Sequence, residues 1–169
     1  ALLAALNDGY GAAESLQQAR QLAEAMFANT TAPDATGRFL VHTLLDQADH
    51  ALRMGDRDMA RNATDKARGI AEMFARDAAT AHAWRGDLAA CWNRLGEIAR
   101  VSGAPTSALD AYARALEFRR PAFEAKRDDP FGKRALAAAL LIYGDAALAA
   151  KQVRTARNAF NESVTLRLE

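Results

Sequence analysis

Small and apolar residues recur along this chain at the spacing of a helix face. Gly96 and Ala99 share one face of a segment that ends near Val101. Ala108, Tyr112 and Ala115 then fall at i, i+4 and i+7 of the next. No stretch alternates apolar and polar positions as a half-buried strand would. The chain is rich in Ala, Leu, Arg and Glu and poor in β-branched residues, which is a helical composition. The pattern predicts an all-α chain of seven helices, at about 9–29, 36–53, 57–78, 82–102, 105–127, 130–150 and 153–168. Val101-Ser102-Gly103-Ala104-Pro105 reads as a turn, because Gly takes positive φ after a helix and Pro suits the first turn of the next. Asp129-Pro130 is another helix start, and Gly9-Tyr10-Gly11 reads as a loop. Pro121 falls inside the fifth helix and is expected to kink it or cut it short.

The spacing hides a longer period. Leu44 to Ala67 carries Ala48, Ala51, Gly55 and Ala60. Trp92 to Ala115 carries Gly96, Ala99, Gly103 and Ala108, and Leu140 to Ser163 carries Gly144, Ala147, Lys151 and Ala156. Corresponding residues stand 48 apart, and Leu40, Leu88 and Leu136 keep the same register. One more step back places Asn7, Ala12, Ala19 and Leu22 under Gly55, Ala60, Ala67 and Ile70. The expected organisation is one domain over 1–169, with a partial repeat at 1–34 and further repeats at 35–82, 83–130 and 131–169. Small residues at the recurring positions allow two helices to approach closely. A chain that starts at Ala1, within a half-repeat, is expected to be a piece of a longer protein.

These residue types, in this order, resemble the tetratricopeptide repeat (TPR) family. The match is carried by Trp92, Leu95, Gly96, Gly103, Ala108, Tyr112 and Ala115, and is repeated by Leu140, Gly144, Ala156 and Phe160. The first full repeat keeps Leu44, Gly55, Ala60 and Ala67 but has Ala48 where the family prefers Gly. The usual period of that family is about 34 residues. The period of 48 here adds about two turns to each helix and keeps the apolar faces in phase. With Arg85-Gly86-Asp87-Leu88-Ala89 ahead of Trp92, the chain is similar to a long-repeat class found in bacterial multidomain proteins. The resemblance implies a right-handed α-solenoid of antiparallel helix pairs. It also implies a scaffold that binds a protein, a peptide or another domain of its parent chain in a concave groove.

By the same resemblance, the first helix of each pair lines that groove. The residues presented are His42, Leu45, Asp46 and Asp49, then Asn93, Arg94, Glu97 and Arg100, then Leu141, Ile142 and Asp145. A ligand with a basic and an apolar side suits them. Some relatives clamp a peptide carboxylate with Lys and Asn. The matching positions here are Leu45, Asp49, Arg94, Ala138 and Ile142, so only Arg94 has the required chemistry.

Charge and residue chemistry narrow the reading. Lys and Arg number 22 against 21 Asp and Glu, a balance that points to neither nucleic acid nor membrane surface. Residues 1–56 hold three basic and seven acidic groups, and residues 113–169 hold eleven and seven. This asymmetry, with the open half-repeat, would suit homo-oligomers joined through uncapped ends. The longest apolar run, Ala135 to Tyr143, is far short of the roughly 20 residues of a membrane span, and the cytoplasm is the expected compartment. Cys91 sits in an apolar run and reads as a buried small hydrophobe. Trp84, Trp92, Tyr112, Phe118, Phe123 and Phe160 read as core.

A different class of function would be metal binding through His42, Asp46 and His50, at i, i+4 and i+8 of one helix. Eight residues rise about 12 Å, too far for all three to hold one ion, so a second helix would have to complete the site. Phosphate-loop, hydrolase-elbow and zinc-protease motifs are absent from the sequence. No enzymatic activity, no resident metal and no cofactor are expected.

Overall fold

The computed structural model describes residues 2–168, with the side chains of 2–10, 78 and 79 left aside. Among the described residues there are seven helices and no strands. They are α1 (Leu2–Ala28), α2 (Pro33–Arg53), α3 (Arg57–Ala75), α4 (Ala78–Val101), α5 (Pro105–Ala125), α6 (Pro130–Ala149) and α7 (Val153–Leu168). None is long and apolar enough to cross a membrane. Each helix packs on its neighbours in the chain, and α2 also touches α4.

The helix ends show why the sequence breaks where it does. Gly55, Gly103 and Lys151 all have positive φ, at 81°, 72° and 60°, and they stand 48 residues apart. At each, the residue after the left-handed one donates its N–H five residues back. Asp56 donates to Ala51 at 2.8 Å, Ala104 to Ala99 at 3.0 Å, and Gln152 to Ala147 at 2.8 Å. The left-handed residue itself donates to Leu52, Arg100 or Leu148 in the same order. This is one Schellman cap formed three times, and it satisfies carbonyls that the helix would otherwise leave unpaired. The 48-residue period is therefore present in the backbone as well as in the residue types. Starts are equally specific. Asp56 accepts from the Met59 N–H at 2.8 Å, Asp129 accepts from the N–H groups of Phe131 and Gly132, and Pro33, Pro105 and Pro130 open their helices.

One expectation is corrected. Helix α1 starts at Leu2 and runs through the Gly9-Tyr10-Gly11 stretch instead of starting at about residue 9. Two glycines cost only about 1 kcal/mol each in a helix, less than a run of 27 residues regains by continuing. Helix α5 holds Pro121 in its last turns and ends at Ala125. Pro121 is exposed, so the ring faces away from the packed side. Asn7, placed in the partial repeat by its sequence register, lies outside the described side chains.

The core is made in layers between successive helices. Leu40, Val41, Leu44, Trp84, Leu88 and Cys91 fill the first, with the Trp84 ring stacked on Phe74 at 4.6 Å. Leu95 and Ile98 join alanines of α2 and α3 in the second. Tyr112 and alanines of α4, α6 and α7 form the third, and Leu116, Leu136, Leu140 and Leu166 form the last. Close approach within a pair depends on Gly96 and Gly144. A Cβ built on Gly96 would lie 2.5 Å from the Tyr112 ring, and one on Gly144 would overlap the Phe160 ring. In the first full repeat the matching residues are Ala48 and Thr64, both fully buried. There a side chain smaller than an aromatic ring stands opposite the added methyl position. Of the aromatics assigned to the core, Trp84 is wholly buried, whereas Trp92 is half-buried beneath the Arg68 guanidinium at 5.2 Å.

Candidate interaction groove

The first helices of the three full repeats are α2, α4 and α6. About two turns of α4 present Asn93, Arg94, Glu97 and Arg100 on a single face. Across from it, α6 presents Ile142 and Asp145. Pro105, Ala108 and Tyr112 of α5 lie between, and together these residues line a cleft of about 700 Å³. Four of the anticipated α4 residues therefore meet Ile142 and Asp145 in one place. Small side chains explain the space, since Ala108, Ala146 and Ala149 leave the floor low.

The cleft is apolar at its floor and charged at its walls, and most of those charges are tied. Arg100 donates to both Glu97 carboxylate oxygens, at 2.8 and 2.6 Å. The Tyr112 hydroxyl donates to Glu97 as well, at 3.2 Å. These donors hold the Glu97 carboxyl below its usual range, with the Arg100 hydrogen bonds the largest cause. Burial raises the Tyr112 phenol, helped by the adjacent Glu97 charge. Arg94 pairs with Asp49 of α2, one of the contacts that link the first two full repeats. Partial burial still raises the Asp49 carboxyl, because loss of water outweighs the pull of Arg94. Arg94 is thus committed within the protein and is not a free clamp for a carboxylate.

The other anticipated groove residues, on α2 and at Leu141 of α6, do not line the cleft. Asp46 is exposed on α2. Leu45 is 92% buried in the first core layer (8% exposed), so it supports the helix and is not open surface. Leu141 is half-buried and does not line the cleft. His42 is exposed and reaches across to α4, where its Nε2 lies 3.1 Å from Asp87. Asp87 also faces Arg38 at 3.9 Å, and Arg38 stacks over Trp84. The Trp84 indole N–H donates to Asp34 at 2.6 Å. This chain of polar contacts cross-braces α2 and α4 through the buried tryptophan. Burial raises the Asp87 carboxyl despite the nearby Arg38 and His42.

His42, Asp46 and His50 do not converge. His42 and Asp46 face solvent while His50 is buried, and no group of three or more metal-ligating side chains assembles among the described residues. Sequence reasoning missed Tyr112 as part of the cleft because its spacing is that of a core residue. It also missed the pairing of Arg94 with Asp49, which joins residues 45 apart on different helices. The available signal was opposite charge at neighbouring face positions of consecutive first helices. No protein-family model matches the chain, and no curated protein is significantly similar to it in sequence.

Proposed function

We propose that the chain is a TPR-like, right-handed α-solenoid segment that binds a protein partner, or another domain of its parent, and is not an enzyme. The cleft of α4, α5 and α6 is the docking site. The observation that carries this reading is its composition: an apolar floor with exposed Ile142, walled by charges of which all but Asp145 are held in fixed positions by a partner. Groups locked in pairs suit recognition better than proton transfer, since a catalytic acid or base must be able to exchange its proton. The threefold recurrence of the helix cap supports the solenoid assignment, because each unit then docks on the last in the same way.

Site-specific photo-crosslinking tests it. A photoreactive phenylalanine at Ile142 or Asn93, expressed in the native host, should capture one protein. The same group at Lys66 of α3 or Asn158 of α7, both exposed, should not. Equal capture at all four positions would overturn the assignment of the groove.

A second reading, self-association, is favoured by one specific observation. Ala12 and Ser15 of α1 are exposed, while their counterparts Ala60 and Ala63 in α3 are buried under a preceding helix. Sedimentation of the purified chain over a wide concentration range checks it, and a monomer throughout would remove it.

A further inference from the structure

The recurring period places three carboxylates at one register position of the first helices: Asp49, Glu97 and Asp145, each 48 from the next. Two of the three are matched by a cation of the protein. Asp49 takes Arg94 from the following first helix. The residue in Arg94's register one repeat on is Ile142, which is apolar, and Glu97 takes Arg100 of its own helix instead. The residue in Arg100's register one repeat on is Leu148, so Asp145 has that option removed as well. Among the described residues no ion pair or hydrogen bond reaches the Asp145 side chain, which is exposed on the rim of the cleft. The apolar residues that replace the two arginines, Ile142 and Leu148, are themselves 43% and 48% exposed.

Resting on the groove reading above, we propose that the partner is a peptide segment that sets a Lys or Arg side chain on Asp145 and a neighbouring aliphatic side chain on Ile142 and the alanine floor. The two cations in the cleft are already neutralised by Glu97 and Asp49, so an acidic segment finds no unpaired positive charge there. The unmatched carboxylate beside exposed apolar surface selects a basic and apolar segment. A charge-assisted contact at the rim sets the specificity, and the aliphatic contact supplies buried area.

The test uses fluorescently labelled synthetic peptides in an alanine-serine background. Each carries a leucine next to Arg, Glu or Gln. Binding to the full chain is read by anisotropy, beside Asp145→Asn, Asp145→Lys, Ile142→Glu and, as a charge-matched control away from the cleft, Asp58→Asn. All substituted residues are exposed, so the variants keep the wild-type helical circular dichroism. The expected result is that the Arg peptide binds best, about fivefold more weakly to Asp145→Asn and unchanged with Asp58→Asn. Asp145→Lys should reverse the preference toward the Glu peptide, and Ile142→Glu should weaken every peptide. A preference for Glu or Gln peptides that Ile142→Glu abolishes would overturn the charge assignment and leave the groove reading intact. No binding by any peptide, or binding indifferent to Ile142→Glu, would overturn both.

Discussion

Replacing Gly96 with alanine adds one methyl group at the tightest point of the α4–α5 pair. The new Cβ would lie 2.5, 2.6 and 2.8 Å from three atoms of the Tyr112 ring. Carbon atoms in contact prefer about 3.5–4.0 Å, so helix or ring must move by roughly an ångström. The ring is poorly placed to do so. Tyr112 is 3% exposed, and its hydroxyl is held by Glu97. Overpacking of this kind costs about 2–3 kcal/mol. Against it, alanine in a helix interior is favoured over glycine by about 1 kcal/mol. The net expectation is a loss of about 1–2 kcal/mol, or a fall in Tm of about 2–8 °C for a chain of this size. Urea denaturation followed by far-UV circular dichroism measures it. The decisive comparison is a double-mutant cycle with Tyr112→Thr, which reproduces the small pair found at Ala48 and Thr64. Tyr112→Thr alone should be costly, at about 3 kcal/mol, because it leaves a cavity. With that ring removed, Gly96→Ala should become stabilising by about 0.5–1 kcal/mol. A Gly96→Ala cost that is the same in both backgrounds would refute the claim that the glycine is there to admit the ring.

Three further outcomes are expected. Lys151→Gly should raise stability by about 0.5 kcal/mol in thermal denaturation, because a non-glycine residue pays roughly 1–2 kcal/mol at positive φ while glycine adds a smaller entropy to the unfolded chain. The raised pKa of Asp87 means that its contribution is fully present below the unfolded value of about 3.8 and is lost as pH rises through the higher folded value. Asp87→Asn should therefore gain stability relative to the wild type as pH is raised from about 3 to about 6, and parallel pH–stability curves would show the assignment to be wrong. Burial pushes the Cys91 thiol up to about 12, so maleimide labelling at neutral pH should proceed only as fast as the protein unfolds.

The seven helices, their breaks and the 48-residue period were legible in the residues. Helix propensity, Gly and Pro at turns and the recurrence of small side chains are local properties, and they act over a few positions. The Schellman caps at Gly55 and Gly103 follow directly from them, and Lys151 keeps the same register without glycine's ease at positive φ. The Gly9-Tyr10-Gly11 stretch was misjudged because a local breaker competes with the packing of a whole helix. A long packed helix tolerates the local loss.

The candidate site was legible only as a set of positions. The resemblance to a repeat family implied Asn93, Arg94, Glu97, Arg100 and Asp145 as groove positions, but it could not say which charges cancel. That depends on distances between helices. The tertiary structure decided that Arg94 spends its charge on Asp49, that Arg100 holds Glu97 and that Leu45 is core. It also decided that Tyr112 forms the floor of a cleft. The physical reason is range: a helix face is set by backbone geometry within four residues, whereas an ion pair or a cavity is set by how two separately formed helices come to rest against each other.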